Sequence, residues 1–423
     1  MRAHAAPLAV ACLVVALGAS GTARQPAVRA SNIATLSVPG RANQTPWVAS
    51  DGDVVAVAWG ATGPGGADVY VAVSRDAGST FADPVRVNPR EGEARLGGEL
   101  PPRVALVPGG TRGREAVAVL WTSRGDTTAI RIARSTDGGR TFGDPPAVSG
   151  PAAAGDRGWP SLAVDGSGPH AFWLDHRGHA PGSHAASTHR TAASYDGVAI
   201  AQRSSLYYRP AVGGAPAKRE IVKGVCYCCK TAAAAGPGGR LYVAWRHVFP
   251  DNIRDIAFTR SVDGGRTFAA PARVSADGWQ IAGCPDDGPA MAVDTAGRVH
   301  VVWPTVVGGE TPRGALFHAV SADGATFSPR HEISTLGGPR PSHPQIAIAG
   351  SGRVVVAWDE VIDGRRVVAA RVLGEPPEAP AIPLSGGEAG MYPVLAARRG
   401  GVLAVWSTGG EASVIRVAHM AVP

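Results

Sequence analysis

Residues 261–268 read SVDGGRTF. An aspartate side chain reaches the backbone N–H groups of its own turn, and a glycine takes the positive φ that such a turn needs. The stretch is therefore read as a tight hairpin held from within. It returns as residues 74–81, SRDAGSTF, as residues 135–142, STDGGRTF, and one residue shorter as residues 321–327, SADGATF. A turn that recurs with its serine, aspartate, threonine and aromatic in register marks an internal repeat.

Working outward, each hairpin follows a strand-like segment: DVYVAVS, AIRIARS, DIAFTRS or ALFHAVS. Ahead of these lies an apolar segment ending in tryptophan. It recurs seven times, as VVAVAW to Trp59, AVAVLW to Trp121, PHAFW to Trp173, LYVAW to Trp245, VHVVW to Trp303, VVVAW to Trp358 and VLAVW to Trp406. A smaller segment often precedes it after a proline (PWVAS, PSLAV, PAMAV, PQIAI, PVLAA), and a fourth often follows the hairpin (DPVRV, REIV, APARV, RHEIS). These runs are β-branched and bounded by Gly, Asp and Pro. Four short antiparallel strands per unit at this period predict an all-β fold, a β-propeller of seven four-stranded blades. Six blades plus an irregular segment is the alternative, because spacings are uneven and residues 174–202 form a long insertion. The last unit lacks a fourth strand, and residues 33–38, IATLSV, supply a spare one. Pairing the two closes the ring.

The hairpins resemble the Asp-box, or BNR repeat, of the sialidase-like propellers, with Phe where many copies have Trp. That resemblance implies that Asp76, Asp137, Asp263 and Asp323 are turn staples on the face opposite the active site. It also implies exo-glycosidase chemistry, with an arginine trio gripping a carboxylate, a tyrosine nucleophile and an aspartate acid. Arg246 and Arg254 stand for the second and third arginines, Tyr392 for the nucleophile and Asp287 for the acid. The family's first arginine lies in a Phe/Tyr-Arg-Ile-Pro motif. This chain has none, and its nearest text is Pro102-Arg103-Val104-Ala105.

The ends and the charge set the setting. A short start and an apolar run at residues 7–19, followed by small residues, read as a signal peptide over residues 1–24, with the propeller spanning residues 31–423. Cys12 lies inside the apolar run, whereas a lipid-attachment cysteine follows one. No second run is long enough to span a bilayer. The protein is expected to be exported, periplasmic or extracellular, and monomeric. Lys and Arg number 41 against 34 Asp and Glu. The arginines are scattered without aromatic interleaving, which argues against a nucleic-acid groove.

One stretch needs a separate account. Residues 224–231, GVCYCCKT, hold Cys226, Cys228 and Cys229, and a fourth cysteine, Cys284, lies in GCPDDGP at 283–289. Cys226 and Cys284 each stand nineteen residues before their repeat tryptophan. They are thus expected one blade apart at the mouth of the central channel, with Asp286 and Asp287. Arg246 and His247 join them as ligand-binding candidates. His343 enters one blade further on. Other polar groups on that face are Asp175, His176, His179, His184, His189, Asp251, Arg254, Asp255, Asp359 and Glu360. In an exporting compartment disulfides compete with other uses. The four sulfurs allow two bonds, one bond with two free thiols, an intermolecular bond, or a metal site. Thiolates of Cys226, Cys228, Cys229 and Cys284, with His343, suit a soft ion such as Cu(I), or Zn(II). Binding of such a metal or of another ligand, a glycan included, is therefore the expected function, and sialidase-like exo-glycosidase hydrolysis is the alternative.

Overall fold

The computed structural model describes residues 30–110, 115–151, 155–178, 197–211, 216–281, 283–374 and 380–422. The expected signal peptide, and His179, His184 and His189 of the insertion, lie outside the described residues. The fold is an all-β propeller. Each tryptophan segment is the second strand of an antiparallel sheet: Val54–Gly63, Ala116–Ser123, Gly168–Asp175, Arg240–Arg246, Val299–Val307, Val354–Ile362 and Gly401–Ser407. The first strands are Ala42–Asp51, Arg103–Val107, Arg157–Asp165, Ala232–Gly236, Ala290–Val293, Ser342–Ile348 and Met391–Arg398. They touch one another in chain order, and the last touches the first.

Hydrogen bonding groups the repeats slightly differently. Five sheets have four strands each, whereas the first two repeats share one eight-stranded sheet, bridged by the short strand Ala94–Arg95. The second repeat has no full fourth strand there, only a bridge between Arg131 and Ala147. The N-terminal strand, Ala30–Leu36, pairs antiparallel with Ile415–Ala421. It starts earlier than the expected residues 33–38 and does the expected job.

Alternation puts one side chain of every second strand deep between neighbouring sheets. All seven repeat tryptophans are at most 1% exposed. Most also find an acceptor for the indole N–H, such as Asp277 Oδ2 for Trp303 at 2.6 Å and Glu360 Oε1 for Trp358 at 2.7 Å. The closing phenylalanines Phe81, Phe142, Phe268 and Phe327 fill the same layers.

The hairpins follow the sequence reading. Asp263 Oδ1 accepts from Thr267 N at 2.9 Å and its Oδ2 from Thr267 Oγ1 at 2.6 Å, while Gly265 N donates to Ser261 Oγ at 2.8 Å. Asp76, Asp137 and Asp323 accept from Thr80, Thr141 and Thr326 in the same way. These bonds hold all four carboxyls below the usual aspartate range. The two glycines of residues 264–265 are not equivalent. Both have positive φ, but a Cβ on Gly264 meets nothing within 4 Å, whereas one on Gly265 would stand 2.0 Å from Tyr208 Oη. The first hairpin already carries Ala77, at φ 57°, in the place of Gly264. Gly264→Ala is therefore expected to cost about 1 kcal/mol, and Gly265→Ala about 2–4 kcal/mol. Urea unfolding of the two variants checks the difference.

Antiparallel order sorts the loops. Those entering each first strand and those joining second to third strands emerge at one end of the ring, and the aspartate hairpins at the other.

Candidate functional site

At the loop end, four first strands begin with the same distortion. Thr45, Trp159, His343 and Tyr392 each have φ between 49° and 53°, and a proline follows each one. A residue before proline is normally extended. Here the pairing register slips at each position, between Gln44 and Trp47, Gly158 and Ser161, Ser342 and Gln345, and Met391 and Val394. Such bulges re-aim a side chain, and strained backbone of this kind collects at functional sites. Three of the four side chains, those of Thr45, His343 and Tyr392, line one narrow mouth cavity with Glu99 and Lys230. Thr45 Oγ1 is buried there without a hydrogen-bond partner among the described residues. Below the mouth a cavity of about 150 Å³ continues along the ring, lined by Arg103, Ser161, Thr231 and Gln345 among others. A larger hollow of about 350 Å³ lies between the second and third repeats, where the fourth strand is short, and no mouth residue lines it.

An ionic network built from five repeats surrounds the mouth. Glu99, 3% exposed, accepts from Lys230 N at 2.8 Å, Lys230 Nζ at 3.0 Å and Gly288 N at 2.7 Å. Lys230 Nζ stands 3.8 Å from Asp287 Oδ1. Asp287 Oδ1 accepts from His343 N at 3.0 Å, and His343 Nδ1 is 2.9 Å from Asp359 Oδ2. Asp359 also accepts from Tyr392 N at 2.7 Å and pairs with Arg366. Burial opposes charge on His343, but Asp359 and Asp287 outweigh it and raise its pKa. Burial likewise opposes charge on Asp359, and His343 and Arg366 hold its pKa down. Asp286 is different. It is an exposed residue at the rim with φ 49°, and burial of its carboxyl, then the Glu99 charge, push its pKa up to about 6. Burial and then Asp359 raise the Tyr392 phenol, whose ring lies 4.4 Å from that of His343.

The sulfur-bearing segments do meet. Cys228 and Cys284 form a disulfide, and Cys226 and Cys229 are free and buried. Of the arrangements open in the sequence, this is one bond with two thiols. While it is closed, Cys228 and Cys284 are not thiolate donors, so the four-thiolate metal set expected from the sequence shrinks to Cys226 and Cys229. Arg254 Nη1 also lies 3.3 Å from Cys226 Sγ, a cation where a metal would need room. His343 belongs to another group, with donor atoms of Glu99 and Asp287 within 4.8 Å. There the Lys230 ammonium already fills a cation's place.

The arginines expected to grip a substrate carboxylate are enclosed. Arg246 is 1% exposed and donates to the carbonyls of Asp287, Arg254 and Pro304, at 2.6–3.1 Å. Arg254 is 0% exposed. Arg246 holds loops and Arg254 Nη1 lies against Cys226 Sγ, so neither offers an open fork. His247 is packed against Phe249, with ring centroids 4.6 Å apart, and accepts from Trp245 Nε1. Asp255 accepts from Gly278 N and pairs with Arg273. Asp175 pairs with Arg177 and Arg157. Glu99, the hub of the network, was not anticipated from the sequence.

Two histidines give a pH dependence. Burial, then Arg273, lowers His247 to about 4. Burial, then His300, lowers His318 to about 3. Both are neutral in the fold and bind a proton in the unfolded chain near the usual pKa of about 6.5. Their contribution is complete above that value and is lost as pH falls below it, by about 1.4 kcal/mol per pH unit and group. The raised pKa of His343 works in the opposite sense. Urea midpoints are expected to drop between pH 6 and 4, and less steeply in His318→Gln.

No protein-family model matches the chain, and no curated protein matches it. Solved structures of similar fold do exist. A glycoside hydrolase family 93 α-L-arabinofuranosidase of Fusarium graminearum, in complex with arabinobiose, aligns with TM-score 0.52 and 14% identity over 82% of this chain and 98% of that one. An ulvan lyase of polysaccharide lyase family 25 aligns with TM-score 0.53 and 10% identity over 92% and 95%. A Hadza microbial sialidase aligns with TM-score 0.50 and 14% identity over 86% and 76%. At these identities the likeness is one of fold, a β-propeller shared with glycan-processing enzymes.

Proposed function

We propose that the protein is an exported glycan-cleaving propeller of the sialidase-like Asp-box group, acting at the loop end of its ring. The observation that carries this reading is the separation of carboxyl environments at the mouth. Asp286 keeps its proton up to about pH 6, while Asp359, in the next repeat, is held ionised and fixes His343. Carboxyls driven apart in this way divide into proton donor and charge stabiliser. Asp286 delivers a proton to the departing glycosidic oxygen. His343 and the Tyr392 ring line the mouth where a ligand would sit, while Lys230, its ammonium buried on Glu99, holds that wall in place. A sialoside-type grip by Arg246 and Arg254 is not part of this proposal, because both guanidiniums are enclosed. The Cys228–Cys284 disulfide supports the export reading, since such bonds persist in oxidising compartments. Among the described residues no helix is long and apolar enough to cross a membrane.

The test is a panel of neutral, uronate-containing and sialylated polysaccharides, followed by reducing ends and by ultraviolet absorbance of unsaturated products. Release of reducing ends from one class supports hydrolysis. Unsaturated products move the reading to elimination. No cleavage of any class, with the fold intact, overturns it.

A further inference from the structure

The glycan reading leaves four sulfurs unused. Cys226 and Cys229 are each 1% exposed, Cys228 is 9% exposed, and Cys284 is an exposed residue at the rim. Cys226 Sγ lies 3.8 Å from Cys228 Sγ and 3.7 Å from Cys229 Sγ, and Cys229 Sγ lies 3.9 Å from Cys228 Sγ. A buried pair of thiols thus touches the inner sulfur of a disulfide whose other half belongs to an exposed residue. Thiol–disulfide exchange needs a thiolate in contact with a disulfide sulfur and a leaving sulfur that can depart. The contact is present here, and the far half of the disulfide belongs to the exposed residue Cys284.

We propose that this group is a thiol–disulfide exchange site in which Cys226 is the nucleophile and Cys284 the leaving group. The Cys226 thiolate forms a bond to Cys228 Sγ. The Cys228–Cys284 bond breaks, and its electron pair leaves on Cys284 Sγ. The proton lost at Cys226 is regained from solvent at Cys284. Nothing is oxidised or reduced overall, so no external oxidant is required. Three features favour the attack at Cys226 rather than Cys229. Cys229 hydrogen-bonds the Cys226 thiolate, Arg254 Nη1 lies against it, and Arg246 Nη1 holds the Arg254 carbonyl at 2.6 Å. The same hydrogen bond and guanidinium charges lower the Cys226 pKa against the effect of burial, while burial first of all raises that of Cys229.

The exchange would present a reactive thiol two residues from Asp286. It would also remove one of the ties on residues 283–289, which keep others, among them Gly288 N to Glu99, Arg246 to the Asp287 carbonyl and His343 N to Asp287. The effect on the proton donor rests on the glycan reading. The exchange itself does not.

The experiment uses the full folded chain without reductant. The protein is incubated with N-ethylmaleimide at neutral pH, quenched in acid, digested at low pH and mapped by mass spectrometry. The expected result is alkylated Cys284 together with a Cys226–Cys228 linkage, accumulating with time. In Cys226→Ser, Cys284 labelling falls roughly tenfold or more, whereas Cys229→Ser retains it. A wild-type map holding only the Cys228–Cys284 bond, with Cys284 unlabelled, overturns the proposal even where the serine variant does not fold. So does labelling of Cys284 at equal rates in wild type and Cys226→Ser. Neither readout depends on glycan cleavage, so failure of one reading leaves the other standing.

Discussion

Asp286→Asn is expected to lower kcat/KM for the cleaved glycan by about 10²- to 10⁴-fold, the range for loss of a general acid. The reason is the proton that Asp286 retains. Burial and the Glu99 charge hold its pKa at about 6, so the acid form persists to that pH and is lost above it. Wild-type kcat/KM should therefore be level below about pH 6 and fall tenfold per pH unit above. The asparagine variant should be slow and flat across that range. Glu99→Gln, which removes a repelling charge, should move the same limb to lower pH. A carboxyl whose pKa rises on folding opposes folding once ionised, so the asparagine variant should unfold no earlier than wild type at neutral pH. Full activity in Asp286→Asn, or an unaltered alkaline limb, rules out the assignment.

Glu99→Ala is expected to be the most destabilising single change at the site, by about 3–5 kcal/mol in urea unfolding. Three donors lose their acceptor at once: Lys230 N, Lys230 Nζ and Gly288 N. The Lys230 side chain is only 4% exposed, and its remaining carboxylate, on Asp287, is 3.8 Å away. A buried ammonium without a close partner is costly, whereas a pair removed together is not. The double variant Glu99→Leu, Lys230→Met should recover most of the loss. If the double variant is as unstable as Glu99→Ala, the cost lies in packing or in the main-chain donors, and the ionic account is wrong.

These two residues also show what the chain displays openly and what it hides. Asp286 was legible, because Cys226 and Cys284 keep equal distances from their repeat tryptophans and the propeller turns equal spacing into adjacency. The hairpins and tryptophan strands were legible for a local reason: each is specified by residues within about one turn or one strand. Glu99 carries no such mark. Its partner Lys230 is 131 residues away, and only ring closure brings them together. The enclosure of Arg246 and Arg254 was hidden too. Charge says nothing about whether a guanidinium will be buried against its own loops. Nor could sequence choose the disulfide, since three clustered sulfurs compete for Cys284 and tenths of an ångström decide. A signal for the bulges was present and unused. Thr45, Trp159 and Tyr392 each stand fourteen residues before a repeat tryptophan, each followed by proline.

The strand Ala30–Leu36 finds its partner in Ile415–Ala421, at the opposite end of the chain. The strand Ala30–Leu36 must therefore wait for a partner that lies several hundred residues further along the chain. Until the two strands meet, the sheet of the last repeat has a bare rim, and a bare rim can recruit a strand from a neighbouring molecule. Assembly of this ring is in that sense a race between its own tail and a stranger's edge.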